Sequence, residues 1–426
     1  MRIRHWLDKW AARFFYQRRR LKNSNRHWRR RHTPLSAEGL EPRHLLSGVS
    51  FVTDDLESDS ALVAQATPTP ADSVVEVASI DSASVVVTND TTSATADVAA
   101  AYPGKTAGEY RNAGAFAAVR EDGSVVCWGN DRYGGDSSSV ADRLAGGVRE
   151  VFSNRYAFAA VCEDGSVVSW GHPQLGGNLG DAAGALSGGV TRIYSTFSAF
   201  AAVKNDGSVV TWGNASAGGD SSAVAEELAG GVVKIYSNRS AFAALKQDGS
   251  VVTWGMAAAG GDSSGVAAEL ENVQEISATA FAFAALKQDG SVVAWGHADR
   301  GGVPSADLGP VARLFANQYA FAALGTDGTL TTWGHPDFGG AMSESLGEIV
   351  EVVASDRAFA ARMTDGSVRC WGAADFGGSG PGDLVAVDQL FATKRAFAAL
   401  MADGSVRTWG HSFFGGASDQ VAADLS

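Results

Sequence analysis

The sequence predicts an all-β repeat fold, and three observations support this prediction. Between residues 115 and 410 an Ala-Phe-Ala-Ala segment followed by Asp-Gly-Ser-Val-Val-x-Trp-Gly recurs eight times with small changes. Successive repeat tryptophans lie 38 to 42 residues apart, and an Asp-Gly pair precedes each of them. A period of this length is typical of folds in which each unit buries its apolar face against its neighbours. We therefore expect a β-propeller of eight sequence repeats, forming seven or eight blades, after a disordered amino-terminal region. The repeat tryptophans are Trp128, Trp170, Trp212, Trp254, Trp295, Trp333, Trp371 and Trp409.

The repeat that spans residues 148–186 illustrates how one blade is expected to fold. Residues 148–152 mix apolar and polar positions as a half-buried strand does, and residues 153–156 form a turn. Residues 157–161 form a second strand, whose alanines allow a neighbouring sheet to approach closely. Asp164-Gly165 predicts a tight hairpin turn, because this pair accepts positive φ at little cost. Residues 166–170 then form the third strand, and the tail after the Gly-Gly pair is expected to form a helical turn or a short fourth strand.

Other repeat folds fit the sequence less well. A β-solenoid is the alternative fold, although one coil of a solenoid is usually shorter than 38 residues. Calcium-binding solenoids use a GGxGxD pattern, whereas Gly-Gly is followed here by Asp-Ser-Ser in only three repeats. WD-type repeats have Trp-Asp where this chain has Trp-Gly, and the sialidase Asp-box has an extra residue between Asp and Gly. These observations favour a different kind of propeller.

Charge divides the chain into three regions. Residues 1–47 form a basic segment of the targeting or export type, because residues 1–46 contain 13 Lys and Arg against three Asp and Glu. Residues 48–105 contain nine acidic residues and a single base, Lys105, and their composition predicts an acidic, low-complexity linker. Residues 106–426 form the propeller domain. Since this domain is acidic, we expect no nucleic-acid binding by it.

The amino-terminal region carries a short motif at residues 40–47, Leu-Glu-Pro-Arg-His-Leu-Leu-Ser. This motif resembles the LEPRxLLS segment near the front of large exported and surface proteins in one bacterial phylum. The resemblance implies export of a bacterial protein, so that the domain would be extracellular or on the cell surface. No apolar run of 18 residues exists in the chain, and we therefore expect no transmembrane helix.

The run from Asp122 to Gly134, DGSVVCWGNDRYG, carries a second resemblance. It resembles the blade ending D/E-G-x-V-x-x-W-G-x-N-x-x-G-Q-L-G of the regulator of chromosome condensation family, and the similarity extends over residues 106–426. Gly135 departs from the family pattern, which has Gln there, and the family usually builds seven blades. The resemblance implies a propeller scaffold. Because family members include a nucleotide exchange factor, inhibitors, ligase subunits and light receptors, it does not imply one activity.

Strand order predicts where a binding site lies. The turn between the first and second strands and the loop after Trp-Gly should share one face of the propeller, opposite the uniform Asp-Gly turns. Arginine and aromatic side chains, which often anchor recognition surfaces, are common in these two sets of loops. The alternative is that the turns vary because nothing constrains them. The candidate partner-binding residues are Arg155, Tyr156, Phe197, Arg239, Phe281, Tyr319, Arg357 and Arg395 from the turns, and Arg132, Tyr133, His172, His297, His335 and His411 from the loops. The same loops contain Lys394, Met256, Arg300, Phe338, Phe376 and Phe414.

Four of the candidates are histidines that directly follow Trp-Gly. Metal ligands must converge on one ion, whereas equivalent positions in successive blades should lie roughly 10 Å apart. We therefore expect these imidazoles to act as loop hydrogen-bonding groups, as Asn does at the same position, and we expect no metal. The three cysteines are too few for a disulfide framework.

No catalytic or cofactor-binding motif is found, including the nucleophile elbow, the phosphate-binding loop and the zinc-binding H-E-x-x-H. The sequence thus predicts a non-catalytic binding or scaffold module that needs no cofactor. Its partner would be a protein or a cell-surface polymer. The alternatives are a nucleotide exchange-type regulator of a GTPase and an enzyme with a site in the axial funnel.

Overall fold

The computed structural model of the chain consists of eight three-stranded antiparallel sheets, one for each sequence repeat. It describes residues 110–304, 308–342 and 346–418, together with the backbone pairing of residues 77–78. Within each sheet the strands follow chain order, so each sheet is a simple meander. The expected all-β propeller of repeated blades is confirmed, and the repeats form eight sheets.

The strands of the first four sheets are β1 Val77–Ala78, β2 Ala115–Val119, β3 Val125–Gly129, β4 Val148–Ser153, β5 Ala157–Cys162, β6 Val167–Gly171, β7 Val190–Ser195, β8 Ala199–Lys204, β9 Val209–Gly213, β10 Val232–Ser237, β11 Ala241–Lys246 and β12 Val251–Gly255. The strands of the last four sheets are β13 Val273–Ala278, β14 Ala282–Lys287, β15 Val292–Gly296, β16 Val311–Ala316, β17 Ala320–Gly325, β18 Leu330–Gly334, β19 Ile349–Ala354, β20 Ala358–Met363, β21 Val368–Gly372, β22 Val387–Ala392, β23 Ala396–Met401 and β24 Val406–Gly410.

The second and third strands of each sheet are held in register by an aromatic pair. Phe158 lies directly opposite Trp170, and their rings stack with centroids 5.3 Å apart. The equivalent Phe–Trp pair stacks in all eight sheets at 4.9 to 5.5 Å. Such cross-strand pairs stabilise a hairpin and fix its register.

The Asp-Gly turn closes each of these hairpins as the sequence predicts. In the second repeat Gly165 has φ +75°, and the carboxylate of Asp164 accepts a hydrogen bond from the backbone N–H of Ser166. A Cβ on Gly165 would lie 2.6 Å from the backbone nitrogen of Gly189. Both the backbone conformation and the space therefore require glycine at this position.

Neighbouring sheets pack face to face through the middle strand. All six residues of β5 are buried, because sheets cover both of its faces and its alanines leave room for close contact. The indole Nε1 of Trp170 donates a hydrogen bond to the carbonyl oxygen of Gly134 in the preceding repeat. Trp212, Trp254, Trp295, Trp333 and Trp409 make the equivalent bond to their preceding repeats at 2.9 to 3.0 Å.

Each loop after Trp-Gly contains a short 3₁₀ helix that ends at the first glycine of the Gly-Gly pair, which has positive φ. These helices span Asp131–Tyr133, Pro173–Leu175, Ala215–Ala217, Ala257–Ala259, Ala298–Arg300, Pro336–Phe338, Ala374–Phe376 and Ser412–Phe414. The tails of the first four repeats contain a further 3₁₀ helix at Ser138–Leu144, Gly180–Ala183, Ser222–Val224 and Ser264–Glu269. These four tails thus form helical turns, one of the two conformations expected, and no fourth strand occurs in the described part of a repeat.

The first sheet takes its first strand from the region that the sequence assigned to the linker. Val77 pairs with Ala118, and Ala78 pairs with Ala117. The basic amino-terminal segment, residues 1–47, lies outside the described residues. Where the structure is described, no helix has the length and hydropathy of a membrane-spanning segment.

Candidate functional site: the loop face

The turns between first and second strands are joined to one another by backbone hydrogen bonds across the sheets. In each of the first seven turns one backbone N–H donates to the carbonyl oxygen of the equivalent residue in the next repeat, at 2.9 to 3.3 Å. We call the surface formed by these turns and the loops after Trp-Gly the loop face. The ladder of hydrogen bonds fixes the spacing of the side chains on this face. The ladder runs through Ala113, Arg155, Phe197, Arg239, Ala280, Gln318, Asp356 and Lys394.

A buried polar side chain ties the two kinds of loop together within each repeat. In the second repeat Asn154 Nδ2 donates to the carbonyl oxygen of Leu175 at 2.7 Å, and Asn154 Oδ1 accepts from the backbone N–H groups of Tyr156 and Ala157. Because the bridge recurs in all eight repeats, both loops must lie on one face, as the strand order predicted. The other bridging residues are Asn112, Thr196, Asn238, Thr279, Asn317, Ser355 and Thr393.

The loop face of the second to fourth repeats carries a cluster of two arginines and two aromatic rings. The ring of Phe197 lies between two guanidinium groups, with Arg155 Cζ 5.2 Å and Arg239 Cζ 4.4 Å from its centroid. Arg155 Cζ also lies 5.8 Å from the ring centroid of Tyr156. Cation–π contacts of this kind help to hold an arginine side chain in place.

Tyr110 completes this cluster, and sequence reasoning did not identify it. Its ring is buried and meets Phe197 edge-on with centroids 4.6 Å apart. Its backbone N–H donates to Ser195 Oγ, and its carbonyl oxygen accepts from Ser153 Oγ. Tyr110 lies ahead of the first recognisable repeat, so the only available signal was an aromatic residue at the position that Phe152 occupies in the next unit.

A second cluster occupies the fifth to eighth repeats, and in it arginines alternate with rings. Arg300 Cζ lies 4.5 Å from the ring centroid of Phe281 and 4.7 Å from that of Tyr319. Arg357 contacts three rings, with Cζ 5.3 Å from Tyr319, 4.9 Å from Phe338 and 4.8 Å from Phe376.

Arg395 continues this alternation at the last two repeats, with Cζ 5.0 Å from the ring of Phe376 and 4.8 Å from that of Phe414. Phe376 is therefore contacted by arginines from two repeats. The sequence placed Arg300, Phe338, Phe376 and Phe414 in the loops but did not select them as candidates, because the contacts depend on which repeat neighbours which.

The two faces of the molecule differ in electrostatics. On the loop face, partial burial lowers the pKa of Arg155, and the positive charge of Arg239 lowers it further. Burial lowers the pKa of Lys394 to about 8, and the adjacent Arg395 acts in the same direction. On the opposite face, hydrogen bonds from the Ser or Thr two residues later lower the pKa of every Asp-Gly carboxylate. Arginines thus recur on the loop face, which also carries Asp131, Asp299, Asp337, Asp356 and Asp375, whereas an aspartate stands at every turn of the opposite face.

The remaining candidates have different environments. Tyr133 stacks on Tyr156 with centroids 5.5 Å apart, and His172 meets Tyr156 edge-on at 6.4 Å. Arg132 and His297 are exposed at the outer ends of their loops, with no aromatic contact among the described residues. The structure therefore gathers most of the candidates into the two clusters and leaves these two outside them.

The histidines behave in part as the asparagines do at the same position. His411 Nδ1 accepts a hydrogen bond from the backbone N–H of Phe413, as Asn130 and Asn214 accept from the residue two places later. His335 instead stacks on Phe338 with centroids 4.2 Å apart. No group of three or more His, Cys, Asp or Glu side chains suited to a metal ion occurs within the described ranges.

Fold and site together define a class of protein, an eight-repeat β-propeller whose loop face is lined with alternating arginine and aromatic side chains. No family model matches the chain. No curated protein matches it either.

Several solved structures show partial similarity. The ectodomain of the Physcomitrella patens receptor kinase CR4 is 17% identical over 63% of this chain and 73% of that one, with a TM-score of 0.34. The ectodomain of the Arabidopsis thaliana receptor kinase ACR4 is 15% identical over 73% of this chain and 97% of that one, with a TM-score of 0.34. Prp20p from Saccharomyces cerevisiae is 17% identical over 65% of this chain and 74% of that one, with a TM-score of 0.34. These identities are too low to carry a partner or an activity from one protein to another.

Proposed function

We propose that this chain is a non-catalytic binding module whose loop face recognises an anionic protein or surface polymer. The observation that carries the proposal is the alternation of arginines and rings around Arg357, which lies within 5.3 Å of three aromatic centroids. A guanidinium group that stacks on rings keeps its N–H donors available at its edge, and those donors match carboxylate, sulfate and phosphate groups. The stacked rings also reduce the side-chain entropy that would be lost on binding.

Charge supports an anionic partner. The chain has a net charge of −13, whereas Arg and Lys outnumber Asp in the described turns and loops of the loop face, where the aspartates are Asp131, Asp299, Asp337, Asp356 and Asp375. Such a patch attracts an anionic ligand, while the acidic remainder repels it and so orients its approach. Because the arginines are spread over at least five repeats, the surface suits an extended ligand better than a small molecule.

Export is part of the same proposal. It rests on the LEPRHLLS motif at residues 40–47 and on the basic residues ahead of it. An exported binding module would meet anionic polymers at the cell surface. Fractionation of the producing cells tests this part by itself, since a pool of mature protein confined to the cytoplasm contradicts it.

The experiment compares two triple variants of the full chain for binding to poly-aspartate and to polygalacturonate, with neutral dextran as the reference polymer. The loop-face variant carries Arg155→Ala, Arg239→Ala and Arg357→Ala. The control variant carries Lys204→Ala, Lys246→Ala and Lys287→Ala, which remove the same charge near the Asp-Gly turns.

We expect the parent chain to bind a polyanion but not dextran, with an affinity that falls as salt rises. The loop-face variant should lose about tenfold or more in affinity, as central arginine anchors do, and the control should change by about twofold at most. Equal losses in the two variants would show a net-charge effect without a site. Binding that survives the loop-face variant would place the site elsewhere.

A further inference from the structure

Among the described residues the first and last sheets each leave one face open, and these two faces differ from those at the internal junctions. At the first sheet Trp128 is 45% exposed, whereas the other seven repeat tryptophans are 0 to 9% exposed. Its stacking partner Phe116 is only partly buried, whereas the equivalent phenylalanines are at most 1% exposed. The exposed surface is therefore the apolar side of a standard repeat.

The last sheet is open at the complementary position. In the other repeats the first glycine of the Gly-Gly pair lies beneath the Phe–Trp pair of the next repeat. A Cβ on Gly377, for example, would lie 2.4 Å from Phe397 Cδ2. Gly415 is exposed, and a Cβ built on it meets nothing within 4 Å. The backbone is nevertheless the same, with φ +96° at Gly415 and +88° at Gly377.

The two open faces are the two halves of one interface. At each internal junction a Phe–Trp pair packs on the glycine of the preceding repeat, and six of the tryptophans donate an indole hydrogen bond to that glycine's carbonyl oxygen. Trp128 and Phe116 present one half of this arrangement with no described repeat packed on it, and Gly415 presents the other half in the same way. Within the described residues the two halves do not meet.

Repeat arrays normally end in repeats whose outer face is polar, because an uncapped apolar face associates or aggregates. The first repeat here keeps the same Ala-Phe-Ala-Ala strand and the same Phe–Trp stack as the internal repeats, with ring centroids 4.9 Å apart. It therefore presents a surface that is already shaped to pack on a Gly-Gly loop.

We propose that the first sheet of one copy of this chain packs on the last sheet of a second copy, head to tail. The occupant is a second copy because the two open faces are the two halves of the chain's own internal junction. By equivalence with the internal junctions, Phe116 and Trp128 of one copy cover Gly415 of the other, and Trp128 Nε1 donates to the Gly415 carbonyl oxygen. Such a contact joins different surfaces on the two copies, so it propagates into filaments unless the assembly closes into a ring.

The test uses the full chain and two variants, one at each half of the interface. Trp128→Ser removes the apolar half. Gly415→Asn fills the open position with a polar side chain, and Asn tolerates positive φ better than other residues do. Sedimentation velocity over an about hundredfold concentration range reports the mass of each species, since association depends on concentration. Circular dichroism checks that both variants are folded.

We expect the parent chain to form multiples of 44.1 kDa as its concentration rises, and each single variant to remain monomeric over the same range. A mixture of the two variants supplies the sharper result, because each retains the half that the other has lost. The mixture should form a dimer and nothing larger, whereas the double variant should not associate with either single variant.

Two results would overturn the proposal. A parent chain that stays monomeric at every concentration shows that its end faces do not join copies, whether they meet each other or are covered by another segment. A parent chain that associates, with single variants that associate equally well or fail to combine in the mixture, shows that copies meet through a different surface.

Discussion

The indole nitrogen of Trp333 donates a hydrogen bond to the carbonyl oxygen of Gly301, 2.9 Å away in the preceding repeat. The same indole stacks on Phe321 in its own sheet, with centroids 5.1 Å apart. One side chain therefore contributes both to the hairpin of its repeat and to the junction with its neighbour. Stability of the domain should depend strongly on these internal junctions, as in other repeat proteins.

Substitutions of Trp333 and Trp128 compare a tryptophan that is packed in a junction between repeats with one that is exposed. Trp333→Ala should lower the free energy of unfolding by about 3–5 kcal/mol, because it leaves a cavity and an unpaired carbonyl group in a packed junction. Trp128→Ala should cost about half of that or less, since Trp128 is 45% exposed. Chemical denaturation followed by circular dichroism measures both. Equal losses would contradict the assignment of the first sheet's outer face as open.

Alanine substitutions at Gly260 and Gly415 distinguish the cost of backbone strain from the cost of a steric clash. Both have positive φ, +91° and +96°, so an alanine at either should carry a similar conformational cost of about 1–2 kcal/mol. Only at Gly260 would the added Cβ meet Phe283 Cδ2, 2.8 Å away. Gly260→Ala should therefore cost about 1–3 kcal/mol more than Gly415→Ala. The difference between the two denaturation midpoints is the readout, and a difference near zero would show that the junction yields to the methyl group.

The stability of the domain should also depend on the polar bridge that the Asn238 side chain makes. Its Nδ2 donates to the Ala259 carbonyl oxygen at 2.6 Å, and its Oδ1 accepts from the backbone N–H groups of Ser240 and Ala241. Asn238→Ala should cost about 1–3 kcal/mol, because these buried groups lose their partners. Asn238→Ser should cost less, since Ser355 makes the bridging bond in another repeat. The exposed Asn205→Ala is the control, and a loss there equal to that of Asn238→Ala would exclude the bridge as the cause.

Stability should also fall in acid, through the Asp-Gly turns. Hydrogen bonds from Ser208 hold the pKa of Asp206 below its ordinary value of 3.8, and the equivalent aspartates behave alike. A folded-state pKa below the unfolded one stabilises the fold above the unfolded pKa, and this contribution is lost as the pH falls through the folded value. Melting temperatures should therefore drop below about pH 4.

A four-site variant isolates these turns from the general effect of acid. Replacing Asp164, Asp206, Asp248 and Asp289 with Asn keeps the turn geometry but removes the titration, so its melting temperature should fall less steeply below pH 4 than that of the parent. Replacement of four exposed glutamates by Gln removes the same charge elsewhere and should leave the slope close to that of the parent. The glutamates are Glu163, Glu226, Glu227 and Glu269. Identical slopes in the two variants would assign the acid effect to net charge.

Much of the fold followed from local chemistry. The Asp164-Gly165 turn, the alternating strands and the Gly-Gly loop endings are each set by a few neighbouring residues, so they could be identified from the sequence. The same strand order placed Arg155 and the loops after Trp-Gly on one face, and the bridge from Asn154 to the Leu175 carbonyl oxygen shows that arrangement.

The sequence by itself therefore determined the repeat unit, its turns and the side of the molecule on which arginines and aromatic rings collect. Only the tertiary structure decided that Arg357 stacks on three rings from two repeats, that Tyr110 packs on Phe197, and that Val77 pairs with the first sheet. It also decided that Trp128 is exposed although its seven counterparts are buried. The reason is physical: identical repeats specify identical local structure, whereas contacts between repeats depend on which unit each one faces, and in the described structure the outer faces of the first and last sheets face no other repeat.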